Sequence, residues 1–126
     1  MNPAWEHAAR SGDVESARTL LDSGTDINAR DRYGQTALML AAHGGHEALV
    51  EMLIEHGADL NVTAKYCLSA LMLSVVAGHA GIARRLARAG ADRSLHGSGA
   101  PGFAGKTAYD LAVERQMAEL YTELRP

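Results

Sequence analysis

Apolar residues in this chain recur with two periods at once, a short one that marks helices and a long one that marks a repeating unit. Between Thr36 and His56, Leu38, Leu40, Ala41 and Ala42 fall on one helical face. Leu49, Val50, Met52, Leu53 and Ile54 fall on another. These spacings belong to two short amphipathic helices rather than to strands. The pattern returns over Ser69–Ala89 and, in shorter form, over Ala4–Ser23, and a further copy runs from Thr107 to Leu124. Thr36, Ser69 and Thr107 each precede the first helix of a pair, where a hydroxyl can accept from a first-turn N–H, and Asp13 stands ready before Val14. Gly24 closes the second helix of its pair, as a left-handed terminator does. The sequence predicts four helix pairs, with Pro3–Ser11 as the first helix and no β-sheet core.

Shifting Asp31–Thr63 along the chain superimposes it on Ala64–His96 with identities at Tyr66, Ala70, Leu71, Met72, Leu73, Gly78, His79, Leu86, Gly90, Ala91 and Asp92. Ala4–Arg30 matches Ala37–Thr63 at Ala4, Ala8, Ala9, Gly12, Leu20, Gly24, Asp26 and Asn28. A fixed period of this size is the mark of a stacked helical solenoid. The units run over 4–30, 31–63, 64–96 and 102–126, with an insertion at 97–101.

The order Gly34-Gln35-Thr36-Ala37-Leu38, then Leu40-Ala41-Ala42, Gly45-His46, Gly57-Ala58-Asp59 and Asn61 resembles the ankyrin repeat. The resemblance covers nearly the whole chain. It implies an all-α ankyrin-repeat solenoid, a single domain over 1–126, with about four stacked helix-turn-helix units, the first truncated, joined by short β-hairpin-like turns. It also implies that His46 and His79 open the outer helices and hydrogen-bond locally.

Departures from the repeat carry their own expectations. Trp5 takes the column of Leu38 and Leu71 and should plug the core, while Glu6 and His7 replace Met39 and Leu40 and should give a wettable cap. Cys67 replaces Gly34, at a place expected to want positive φ. Ala83, Arg85 and Ala87 thin the third outer helix where the second has Val50, Met52 and Ile54, and Tyr109 and Tyr121 are expected to fill the gap. The closing helix, about Met117–Leu124, follows Gln116 in place of a turn glycine and should be the weakest part. On the outer side, Arg18, Glu51 and Arg84 are expected to align in one row, Asp22, Glu55 and Arg88 in another, and Arg85 to face Glu123.

Composition narrows the function. A net charge of −3 offers no basic footprint for nucleic acid. No apolar run is long enough to span a bilayer, and the polar start MNPAWEHAARSGD does not read as a signal peptide. The single cysteine, Cys67, excludes an intrachain disulfide and fits a reducing, cytoplasmic setting, in which the sequon Asn61-Val62-Thr63 stays unused. Ala100–Thr107 satisfies a relaxed phosphate-loop pattern, but such a loop must follow a buried strand, and Gly105-Lys106-Thr107 is already explained as the counterpart of Gly34-Gln35-Thr36. His43 and His46 lack the three or four convergent ligands that zinc requires. Cys67 has no base beside it, though Lys65 is near in sequence. No enzyme activity, cofactor or metal is expected.

What remains is surface. Carried over from the resemblance, the concave groove of turn tips and inner helices holds Arg32, Tyr33 and Gln35, then Lys65, Tyr66 and Leu68, then Phe103, Ala104 and Lys106. His43 and Gly44, Val76 and Ala77, and Glu114 and Arg115 continue it. Tyr33 and Tyr66 are both expected to be exposed on one ridge. Tyrosine and arginine are the types that dominate binding hot spots, so the expected function is recognition of a protein partner, through an acidic or aromatic-anchored segment, by a monomer. The alternative is a self-assembling scaffold joined through its terminal faces.

Overall fold

The computed structural model describes all residues, Met1–Pro126. Its first three helix pairs are α1 (Pro3–Ser11) with α2 (Val14–Asp22), α3 (Ala37–Gly44) with α4 (Glu47–Glu55), and α5 (Ala70–Val76) with α6 (Ala80–Arg88). The fourth is α7 (Ala108–Glu114) with α8 (Tyr121–Leu124), the latter entered through a 3₁₀ turn, Ala118–Leu120. No strand forms. The expected hairpins are hydrogen-bonded turns, with isolated bridges between His96 and Thr107 and between Gly97 and Ala104.

The first helix of each pair starts where the sequence offers an acceptor. Asn2 accepts from the Ala4 N–H at 2.8 Å, Thr36 from Met39 at 3.3 Å and Ser69 from Met72 at 3.3 Å. Thr107 and Asp110 form a reciprocal capping box. At Asp13, the backbone and hydroxyl bonds from Ser16 hold the carboxyl below the ordinary aspartate range. At seven to nine residues, the paired helices of the first three units are too short to persist alone, so stacking must hold them.

The stacking is in two rows. The inner row runs α1–α3–α5–α7 and the outer row α2–α4–α6–α8. Trp5, Leu38 and Leu71 occupy one buried column between them, as the register predicts. Each such side chain contributes roughly 1.5–3 kcal/mol on full burial. Ala8, Ala9, Ala41 and Ala42 are buried between the inner helices, where a small side chain permits close approach.

Two bonds repeat from unit to unit. Asn28 Oδ1 accepts from the Asp59 N–H and Asn61 Oδ1 from the Asp92 N–H, both at 2.8 Å. The histidines supply the other, and here the expectation of local bonding fails. His46 Nε2 lies 2.8 Å from the Arg10 carbonyl and His79 Nε2 lies 3.2 Å from the His43 carbonyl, each in the preceding unit. The ring crosses above the preceding turn glycine. A Cβ on Gly12 would sit 2.5 Å from His46 Nδ1, and one on Gly45 would sit 2.8 Å from His79 Cε1. Both glycines also hold positive φ, so the position demands glycine twice over.

The C-terminal end departs from expectation in part. Tyr109 and Tyr121 do meet, edge to face at 5.9 Å, beside the thinned α6. The closing helix shrinks to the 3₁₀ turn and one α-turn. Arg85 does not face Glu123: it pairs with Glu47 at 3.0 Å and Glu51 at 3.1 Å. Glu123 instead takes Arg84 at 3.1 Å and Arg88 at 2.9 Å. Arg18 stays within α2, paired with Glu15, so the expected outer rows are displaced by one residue.

Candidate interaction surface

The tip between α2 and α3 is built on Asp31. Its buried carboxylate accepts through Oδ1 from the Tyr33 and Gln35 N–H groups, both at 2.9 Å, while the Asp31 N–H donates to the Gln35 carbonyl at 2.9 Å. Three bonds across five residues fix the turn, and Arg32 and Tyr33 are left at its apex. Tyr33 is 58% exposed, with the Arg32 guanidinium 5.0 Å from its ring centre. Asp31 Oδ2 is buried without a hydrogen-bond donor, and Arg10 reaches to 3.6 Å from it.

The next tip repeats the apex on a different base. Ala64 stands where Asp31 stood, so the carboxylate bracket is lost and Lys65–Cys67 tightens into a 3₁₀ turn. Tyr66 and Cys67 take φ of 62° and 57°, the region that Gly34 occupies at 80°. Left-handed backbone at a non-glycine residue costs on the order of 1–3 kcal/mol and persists where the surroundings impose it. The insertion after His96 does so. The Ser98 N–H donates to the Tyr66 carbonyl at 2.8 Å, and its hydroxyl donates to Cys67 Sγ at 3.1 Å. Phe103 lies against Tyr66, ring centres 5.8 Å apart. Lys65 is exposed, its ammonium 5.0 Å from the centre of the Tyr66 ring, as Arg32 is from Tyr33.

Two expectations are corrected, the free exposure of Tyr66 and the surface place of Leu68. Tyr66 is half-buried under the insertion rather than freely exposed, and Phe103, its cover, is half-buried too. Leu68 is only 6% exposed and belongs to the core, because the chain turns inward there to reach the cap at Ser69. Val76 is half-buried, and the Lys106 ammonium is paired with Glu114. Tyr33, Arg32, Lys65 and His43 are exposed and Gln35 is half-buried.

Between the tips and the inner helices lies a cavity of about 340 Å³ lined by Arg10, Gln35, Leu40, His43, Gly44 and Leu73. Sequence reasoning missed Arg10 and Leu73 as lining residues, while Leu40 is buried in the core as expected and only borders the hollow. The available signal for Arg10 was the column it shares with His43, and for Leu73 the column it shares with Leu40. A larger hollow, about 530 Å³, opens between the outer helices. Its walls are Glu47, Glu51 and Glu55 facing Arg84, Arg85 and Arg88, charges that largely neutralise one another. The hydrogen bond with Glu47 and then the charge of Glu51 hold the Arg85 pKa above its ordinary value. On the tip side Arg32 and Lys65 are in no ion pair, and the Tyr33 ring stands exposed beside the first of them.

The phosphate-loop reading finds no cradle. The N–H groups of Phe103 and Ala104 both donate to the Ala100 carbonyl, that of Gly105 to Gly97 and that of Lys106 to Phe103, at 2.9–3.0 Å. No group of three or more metal-ligating side chains converges anywhere. No helix is long and apolar enough to cross a membrane.

A family model described as ankyrin repeats matches three copies over residues 5–96. The chain belongs to the ankyrin repeat family. Ankyrin repeats are generally non-catalytic protein-interaction modules, and the fourth helix pair of this one lies beyond the matched stretch. The chain is similar to osteoclast-stimulating factor 1 of Rattus norvegicus, 44% identical over 50 residues, which are 40% of this chain and 23% of that protein. It is also similar to the mitochondrial disaggregase of Bos taurus, 46% identical over 48 residues, 38% of this chain and 7% of that protein. The DNA replication inhibitor plutonium of Drosophila melanogaster is 46% identical over 50 residues, 40% of this chain and 29% of that protein. The match thus spans less than a third of each relative's length.

Proposed function

We propose that this ankyrin-repeat chain is a non-catalytic recognition module that binds a protein partner on its tip side. The observation that carries the reading is the paired apex, Arg32 over Tyr33 and Lys65 over Tyr66, both at 5.0 Å and in register one repeat apart. The contact set is Arg32, Tyr33, Gln35, His43 and Lys65, with Tyr66, Phe103, Val76 and Lys106 at its margin. Residues 1–126 act as one unit of four stacked helix pairs, and the protein works as a monomer in the cytoplasm. A turn already fixed by three hydrogen bonds loses little entropy on binding, which favours rigid docking over coupled folding. Self-assembly through the ends is the weaker reading, since the large apolar side chains left well exposed are Tyr33 and Val113, and Tyr33 is on the tip side.

Site-directed photo-crosslinking in source cells tests this. A photoreactive phenylalanine analogue at Tyr33 or His43 is expected to capture the same partner, and one at Glu51, on the outer helices, to capture none. Capture from Glu51 but from neither tip-side position would contradict the proposal.

A further inference from the structure

Asp31 is the one charged residue of the chain that the stack buries, its side chain 2% exposed. Oδ1 has two donors, the Tyr33 and Gln35 N–H groups at 2.9 Å, but Oδ2 has none. A carboxylate oxygen held away from water without a donor is costly unless a countercharge stands beside it. The cation within reach comes from the preceding unit: Arg10 Nη2, in the last turn of α1, lies 3.6 Å from Oδ2. Arg10 is held there at both ends. Glu6, one turn earlier, lies 3.6 Å from its Nε, and the His46 ring meets its backbone carbonyl at 2.8 Å.

The other units serve as an internal control. His43 and Val76 stand in the column of Arg10, and Ala64 and Gly102 in that of Asp31. Acid and arginine are present together at the first interface and absent together from the next two. The second tip nonetheless keeps the backbone bonds of the first. The Ala64 N–H donates to the Leu68 carbonyl at 3.1 Å, as Asp31 does to Gln35 at 2.9 Å, and that of Cys67 donates to Ala64, as Gly34 does to Asp31. What it lacks is the carboxylate, and Ser98 braces it from the insertion instead, through the Tyr66 carbonyl and Cys67 Sγ. No insertion covers the first tip, where Tyr33 is open to solvent. Its brace is Asp31, and behind Asp31 stands Arg10. We infer that Arg10 is the positioning residue of the Tyr33 apex: its charge, supplied across the unit boundary, keeps the Asp31 carboxylate in place to hold the two amides. The inference rests on the tip side being the binding face and adds a residue of the first unit that sets the shape of that face.

Hydrogen exchange of the full chain, followed by NMR at the Tyr33 and Gln35 amides, tests this. Arg10→Gln keeps the stem and removes the charge. It should speed both amides about tenfold, less than for a fully buried pair because Arg10 is half-exposed. The Met72 amide, at the cap of α5, should be unchanged. Arg10→Lys keeps the charge and should restore most of the protection. Asp31→Asn removes the buried charge, so adding Arg10→Gln to it should change exchange by less than about twofold. Unaltered exchange in Arg10→Gln, no rescue by Arg10→Lys, or the same acceleration on the Asp31→Asn background would overturn the inference. Photo-crosslinking reads the binding face separately. If capture comes from Glu51 alone while Arg10→Gln loosens the two amides, the brace stands and the binding face falls.

Discussion

Trp5→Ala is expected to destabilise the protein by about 3–5 kcal/mol, the range for removing a buried tryptophan from a core. Trp5 is 1% exposed and starts the buried column that continues through Leu38 and Leu71. Because each unit of a solenoid is stabilised mainly by its neighbours, the damage should be local at first. Hydrogen exchange should show α1 and α2 losing protection while α5 to α7 keep theirs. Urea denaturation should show a broadened or two-step transition. A tryptophan variant that unfolds in one unchanged step would contradict the nearest-neighbour account. Trp5→Phe should be mild by comparison, since the indole N–H is buried without an acceptor and its removal relieves that cost.

Leu71→Ala should cost about 2–5 kcal/mol, but with the opposite signature. Leu71 is as deeply buried as Trp5, and α5 packs on α3, α6 and α7 at once. A cavity there weakens interfaces on both sides, so protection should fall through the whole stack in one cooperative transition. Against a typical domain stability of 5–15 kcal/mol, the loss is large enough to show as poor soluble expression. Retention of full protection in α3 and α7 would mean that the inner row is less coupled than its packing implies.

The fold was legible because it repeats. Apolar spacing located the helix pairs, hydroxyls at Thr36, Ser69 and Thr107 located three of the starts, and Cys67 in a glycine column foretold positive φ. What the sequence did not disclose depends on contacts between units. His46 bonds a carbonyl in the previous unit, and local motif logic has no access to that pairing. Column counting sets Arg85 against Glu123, but its guanidinium reaches back to Glu47 and Glu51 of the preceding unit. The binding surface was half legible. Register placed Tyr33 and Tyr66 at matching apices, yet exchange of Asp31 for Ala64 and the fold of the insertion over Tyr66 decide that only the first is open. Leu68 was drawn into the surface by its column mate Gln35, although its own side chain is apolar and turns inward.

The partner's affinity for Tyr33→Ala, set beside Glu51→Ala, is the most direct measure of the tip side as the binding face. With a partner identified by crosslinking, isothermal titration should show Tyr33→Ala weakening the complex by roughly 2 kcal/mol or more, as loss of an aromatic anchor does. Its melting temperature should barely move, because an exposed side chain outside the core is worth within about 0.5 kcal/mol of stability. Glu51→Ala should bind like the unsubstituted protein. Loss of binding in Glu51→Ala with full affinity in Tyr33→Ala would place the interface on the outer helices and contradict the account.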